Sequence, residues 1–299
     1  MRVLIVGTGY VGLPLGIELV RQGHEVFGLR RSALAAEELQ RSGIHPLFAD
    51  ITRPEQLKSL PRDFDWVVNC TASGGAGPEE YRRIYREGNQ NLIVWLTGSP
   101  LKKFLYTSST SVYGQNNGSI VTESSPAQPD AGTAKILVET ENILLAAARK
   151  NFPAVIMRVA GIYGPARGHW FKAYLRGEAR IEGDGSRFLN MIHRDDLIGV
   201  IIAALQHAPP GTIYNAVDDE PVSQLQFFEW LAAELKRPLP PFVPVDAETW
   251  RKRGTTNKRV SNDRLHAELK YDFRYPDYRF GYGAEIRRLT AESPEHFLA

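Results

Sequence analysis

The first dozen residues constrain this chain most. Arg2-Val3-Leu4-Ile5-Val6 is a short aliphatic, β-branched run of the kind buried on both faces in a parallel sheet. It leads at once into Gly7-Thr8-Gly9-Tyr10-Val11-Gly12, a G-x-G-x-x-G. Val11, Leu15, Leu19 and Val20 then recur at helical spacing until Gly23, and Val26-Phe27-Gly28-Leu29 reads as a second strand. Strand, glycine turn, helix and strand in that order form the sequence pattern of a dinucleotide-binding unit. Gly7 permits the tight turn, Gly9 lets a pyrophosphate approach the backbone, and Gly12 lets helix and strand pack closely. Tyr10 and Val11 complete the turn, and the unpaired N–H groups of the helix start face the phosphates.

The residues after the second strand bear on which dinucleotide is bound. NAD-specific sites place an Asp or Glu there, accepting from both ribose hydroxyls. This chain has Arg30-Arg31-Ser32 instead. Guanidinium groups pair bidentately with phosphate and a serine hydroxyl adds a donor, so these residues predict NADP, with NAD as the alternative. Solvated arginines at the start of the next helix are the competing reading. Asp50 closes a third strand-like segment, Ile44 to Ala49, where its carboxylate could accept from the adenine amino group. A helix N-cap before Pro54 competes for it.

The alternation continues. Phe64 to Cys70 reads as a strand, Pro78 to Thr97 as a long helix and Lys103 to Ser108 as a strand. Gly132 to Lys150 is a further helix and Pro153 to Val159 a further strand. Strands separated by helix-length segments predict right-handed βαβ units. The fold class is therefore α/β, a doubly wound parallel sheet (Rossmann) with a smaller C-terminal substrate lobe. The expected division gives residues 1–165 with 194–217 to the dinucleotide-binding domain and 166–193 with 218–299 to the lobe. Prolines 209, 210, 238, 240 and 241 punctuate the later elements, and Arg251 to Arg259 reads as polar loop.

Composition narrows the function classes. With 36 Lys and Arg against 34 Asp and Glu, the chain lacks the basic excess of a protein that grips nucleic acid. A single cysteine, Cys70, excludes an internal disulfide framework, and the histidines lack metal-ligand spacing, so no metal is expected. No apolar run approaches the roughly 18 residues needed to span a bilayer, and Val6 runs into glycine rather than a signal-peptide core. These features predict a cytoplasmic protein with a small-molecule substrate and neither nucleic acid nor membrane as partner.

Several stretches carry a resemblance to a known family. The glycine turn, Ser108-Ser109-Thr110-Ser111-Val112-Tyr113-Gly114 and Arg158-Val159-Ala160-Gly161-Ile162-Tyr163-Gly164-Pro165 resemble the extended short-chain dehydrogenases/reductases. That is the NAD(P)-dependent epimerase/dehydratase family, which includes many nucleotide-sugar enzymes. Arg187 to Asp196 is similar to the segment that crosses back from the substrate lobe to the cofactor domain. Ile213-Tyr214-Asn215-Ala216, with Glu220-Pro221, is similar to the last Rossmann strand and its exit. The compact length and the run Lys258-Arg259-Val260-Ser261-Asn262 look most like the atypical members. The resemblance implies a monomer or a homodimer, the long helices after the fourth and fifth strands being the faces this family commonly uses.

The resemblance also implies a site. In this family a tyrosine moves the proton at the substrate carbonyl or hydroxyl. A lysine four residues later lowers the phenol pKa and binds the nicotinamide ribose, and a Ser or Thr after the fifth strand orients the substrate oxygen. A cation one helical turn from a phenol tunes it electrostatically. Matched residue by residue, Ser109 takes the Ser/Thr position and Lys135 the lysine position, but the tyrosine position is Ala131. None of the 12 tyrosines stands four residues before a lysine. The Asp-Glu pair that sugar dehydratases carry after the Ser/Thr is Thr110-Ser111, neither of them a useful acid or base. Tyr113, Tyr163 and His169 are the remaining substrate-contact candidates; Asp130 adjoins the vacant position, and His193 reads as a core or hinge residue. Two expectations follow. One is an NADP(H)-dependent oxidoreductase or epimerase on a small carbonyl or nucleotide-sugar-like substrate, with an improvised proton relay. The other is a non-catalytic NAD(P)-binding sensor or partner subunit.

Overall fold

The computed structural model describes residues 1–74, 77–245 and 256–292. Its frame is a sheet of strands β1 (Arg2–Val6), β2 (Glu25–Arg30), β3 (His45–Phe48), β4 (Trp66–Asn69), β5 (Lys103–Ser109), β6 (Ala154–Val159) and β7 (Ile213–Ala216). All pairings are parallel, in the order β3-β2-β1-β4-β5-β6-β7. The strands read as unbroken apolar runs because each sheet face is covered. Leu4 and Val6 pack into one apolar cluster, Val3 and Ile5 into another. Each such side chain, fully buried, contributes about 1.5–3 kcal/mol. The observed ends differ from those read in the sequence by one or two residues, the ordinary scatter of fraying termini.

Helix α1 (Gly12–Arg21) follows the glycine turn and buries Leu15 and Leu19 against Val3 and Ile5. The long helix before β5 runs as Pro78–Tyr81, Arg82–Glu87 and Gly88–Leu96, its middle part wound as a π-helix. There Arg82 and Arg86 reach Glu139 of helix α2 (Gly132–Ala148), at 2.6 and 3.3 Å. Between β6 and β7 lies helix α3 (Arg194–His207). His193 caps it by accepting the Asp195 N–H at Nδ1, 3.2 Å away, with its ring 3.8 Å from that of Tyr275. Burial pushes this imidazole down to about 4, so it is a neutral cap, consistent with a core residue at the return to the sheet.

The segments leaving β6 and β7 feed a third apolar cluster, with Phe171, Tyr174, Phe227, Phe228, Tyr278 and Tyr282 at its centre. It joins helix His169–Leu175 to helices α4 (Gln224–Leu235) and α5 (Tyr278–Glu292). One expectation is corrected here. Of the stretch read as polar loop, residues 251–255 lie outside the described residues, but Asn257–Val260 is a strand, parallel to Asn116–Val121. Lys258 and Val260 are buried while Arg259 is exposed, a period-two alternation that the polar composition concealed. No helix among the described residues is long and apolar enough to cross a membrane.

Candidate functional site

The strand order reverses between β1 and β4, where connections leaving the sheet diverge and open a crevice at the carboxyl ends. A cleft of about 750 Å³ occupies this edge. From the β2–β3 side its wall includes Arg30, Arg31, Ser32 and Asp50, and from the β5–β6 side Ser109, Leu137, Ile162 and His169. Gly7, Gly9, Tyr10 and Val11 line it where β1 ends.

The glycine turn is shaped by its backbone. Gly7 has φ +89° and donates its N–H to the Leu29 carbonyl at 3.0 Å. A Cβ on Gly12 would stand 2.2 Å from the Gly7 carbonyl oxygen, so Gly12 sits behind the turn and serves packing. Gly9 differs: a Cβ there would meet nothing within 4 Å, in the open cleft. Bare backbone facing a cleft, at the start of a helix that no side chain caps, is what a diphosphate requires. The residues present therefore fit a nicotinamide dinucleotide. The Tyr10 ring holds the rim, between the Arg167 and Arg194 guanidinium groups at 4.7 and 5.3 Å, its hydroxyl donating to the Pro165 carbonyl at 3.1 Å. Cys70 also lines the cleft, but burial pushes its thiol up to about 12, which leaves it protonated and unreactive.

Arg30, Arg31 and Ser32 separate in role. Arg30 turns inward: its Nε donates to Thr8 Oγ1 at 2.7 Å and its Nη2 to the Thr8 carbonyl, so it braces the glycine turn. Arg31 and Ser32 stay exposed on the cleft wall. Ser32 Oγ accepts the Leu34 N–H at 3.2 Å and keeps its own O–H to donate. Asp50 does not cap the helix at Pro54. Its Oδ1 accepts from the N–H and hydroxyl of Thr52 at 2.9 and 2.8 Å. Burial opposes its ionisation, but these bonds and the charges of Arg31 and Arg53 hold the carboxyl below its ordinary range.

On the β5–β6 side the positions matched for catalysis do not come together. Ser109 reaches the cleft, its Oγ accepting the Ser111 N–H at 3.2 Å. Lys135 does not: it is exposed and outside the cleft wall, where α2 contributes Leu137 instead. Two residues lie about 200° apart on a helix, so Lys135 and Leu137 occupy opposite faces. The buried positions of α2 are Thr133, Ala134, Ile136, Leu137, Thr140, Glu141 and Leu144. No buried pair spaced by four on this helix, Thr133 and Leu137 at its start included, offers a phenol with an ammonium. Ala131 precedes the first helical turn in extended conformation and takes no part in the cleft wall.

Tyr113 is fully buried outside both clefts and works in the framework rather than on a substrate. It donates to Asn215 Oδ1 at 2.8 Å and accepts from Arg158 Nη1 at 2.9 Å. Arg158 in turn pairs with Glu141 at 2.7 Å, and Ser108 donates to Glu141 at 2.6 Å. This buried network ties β5, β6 and β7 to α2.

A second cleft of about 300 Å³ adjoins the first, sharing Ser109, Ala160, Gly161, Ile162 and His169 with it. His169 is exposed at this junction. Tyr163 lines the second cleft, but its ring stacks on Tyr282 at 4.4 Å and its hydroxyl donates to the Asp277 carbonyl at 3.3 Å. Burial holds that phenol far above its ordinary range, which removes it as a proton carrier. Sequence reasoning missed Arg187 and Lys258 in the same wall. The alternation of Lys258 with apolar Val260 was the signal for the second; nothing local marks the first.

Comparison with known proteins bears on the chain as a whole. The NAD dependent epimerase/dehydratase family matches residues 3–216. Protein YeeZ of Escherichia coli (strain K12) is 28% identical over 287 residues, 92% of this chain and 97% of its own. A 3-diazoavenalumate denitrifying reductase from a Streptomyces species is 25% identical over 316 residues, covering 95% of this chain and 100% of its own. A solved structure from Methylobacillus flagellatus, described only as an NAD-dependent epimerase/dehydratase, is 33% identical with a TM-score of 0.76, covering 96% and 98% of the two chains. The glycine turn, the strand reversal and these likenesses agree: the chain belongs to the NAD-dependent epimerase/dehydratase family, whose members are oxidoreductases, epimerases and dehydratases.

Proposed function

We propose that this chain is an NADP(H)-dependent reductase of a small carbonyl or sugar-like compound, working without the phenol–ammonium pair of its family. The observation that carries this reading is the junction of the two clefts at Ser109, Gly161, Ile162 and His169, across the glycine turn from Arg31 and Ser32. It suits a dinucleotide whose adenosine end lies at Arg31 and Ser32 and whose reactive end lies at the junction. Such a coenzyme supplies a hydride.

The chain's own residues do the rest. Arg31 and Ser32 offer a guanidinium and a hydroxyl to a 2′-phosphate, with no acid at the end of β2 to repel it. Leu137 lends the β5–β6 wall of the larger cleft an apolar surface for the nicotinamide end. The Ser109 hydroxyl orients the substrate oxygen. His169, exposed where the two clefts meet, is the imidazole placed to exchange the proton with the substrate oxygen. Thr110 and Ser111 supply no acid–base pair, so elimination of water is disfavoured.

The test is NADPH oxidation against a panel of small aldehydes, ketones and keto sugars. Turnover that falls by about 10²-fold or more in both Ser109→Ala and His169→Phe supports the reading. Leu137, an isobutyl group where α2 reaches the cleft while Lys135 faces away, favours one alternative, a non-catalytic NADP(H)-binding sensor. Saturable NADPH binding with no oxidation across the panel selects it.

A further inference from the structure

The smaller cleft has two cations in its wall and no carboxylate among its described lining residues. Lys258 is 4% exposed, and its Nζ donates to Thr256 Oγ1 at 2.7 Å. Arg187 lies over the Trp170 ring at 5.4 Å, and its Nε and Nη2 are buried with no hydrogen-bond partner among the described residues. The Ser111 hydroxyl, in the same wall, is also buried without a partner among the described residues. Burial acts on both cations, lowering Arg187 and pushing Lys258 down to about 8, with no acidic neighbour among the described residues to offset it. A lone buried charge destabilises a fold unless something else answers it.

The two cations are held, not adventitious. Phe188, beside Arg187, donates its N–H to Asn257 Oδ1 at 3.0 Å. Asn190 bridges the same segments, donating to the Lys258 carbonyl at 2.9 Å and accepting the Val260 N–H at 2.8 Å. The segments that carry Arg187 and Lys258 are thus clipped together by side-chain amides. About 300 Å³ lies at the small end of ligand pockets and suits a small organic anion.

We infer that this cleft binds the anionic group of the substrate, a carboxylate or a phosphate, with Arg187 and Lys258 as its counter-charges and Ser111 as a further donor. The inference rests on reading the cleft as the substrate site, and it narrows the substrate to a small acid or phosphate ester.

The experiment titrates the full chain, free of coenzyme and at low ionic strength, with inorganic phosphate and with acetate. Wild type is compared with Lys258→Met and Arg187→Met, which keep the aliphatic bulk and remove the charge. Wild type is expected to bind at least one probe, and each substitution to weaken binding by about tenfold or more. The free variants should melt at or above the wild-type Tm, because a lone buried charge has gone. Phosphate binding alone indicates a phosphate ester; acetate binding as well indicates that a carboxylate suffices. The inference is overturned if neither probe binds at tens of millimolar, or if either substitution lowers Tm. It is overturned too if binding survives both substitutions, which would put the ion at the glycine turn. With no coenzyme present, these outcomes do not depend on whether the larger cleft takes NADP(H).

Discussion

Replacing Gly9 and Gly12 one at a time separates binding from folding at the glycine turn. A methyl group on Gly12 would sit 2.2 Å from the Gly7 carbonyl oxygen and 3.0 Å from Ile5 Cγ2. Relief requires the turn to move off β1, against the bond from the Gly7 N–H to the Leu29 carbonyl at 3.0 Å. Overpacking of this kind costs about 1–3 kcal/mol. At about 2.1 cal/mol/K of unfolding entropy per residue over 299 residues, that lowers Tm by about 2–5 °C. A methyl group on Gly9 meets nothing within 4 Å, so stability should stay within about 0.5 kcal/mol of wild type. It stands in the diphosphate cradle, however, and should weaken NADPH by about tenfold or more, roughly 1.4 kcal/mol. Thermal melts and a fluorescence titration with NADPH read the two effects separately. Wild-type affinity in Gly9→Ala would mean that the pyrophosphate does not lie on this backbone. A wild-type Tm in Gly12→Ala would refute the packing argument.

Three further outcomes follow from the geometry. Lys135→Ala should leave NADPH affinity and turnover within about twofold of wild type, since that side chain faces away from the cleft; a large loss would return it to the site. Arg158→Met strands Glu141 in the core and should cost about 3–5 kcal/mol, read as a fall in the denaturant midpoint. The third concerns pH. His193 is held neutral at about 4 against 6.5 unfolded, so its contribution is full above pH 6.5 and is lost as pH falls through 4, up to about 3 kcal/mol. His193→Asn keeps an acceptor for the α3 cap and should flatten Tm against pH across that window; an unchanged slope counts against the assignment.

The fold was legible where its determinants are local. β1, the glycine turn, α1 and β2 follow one another, and strands buried on both faces announce themselves as apolar runs. The catalytic helix was harder. Motif spacing points to Lys135, but which face of α2 turns inward is set by packing against β5 and β6. The clustered Ile136, Leu137 and Val138 obscure that phase, whereas Thr133, Leu137, Thr140, Glu141 and Leu144 mark it once the whole helix is weighed. Tyr113 sits in a recognisable motif, yet its partners Arg158 and Asn215 arrive from strands far along the chain, so its structural duty is not written nearby. Arg30 likewise has the chemistry of a phosphate ligand and spends it on Thr8. Lys258 was hidden because a buried lysine in a polar stretch looks like loop until its strand partner is known.

The most direct measurement is equilibrium titration of the pure full chain with NADPH and with NADH, followed by coenzyme fluorescence and calorimetry. The geometry of the turn, with Arg31 and Ser32 beyond it, predicts saturable binding of one coenzyme per chain, tighter for NADPH. Failure of both coenzymes to bind at millimolar concentration would contradict it.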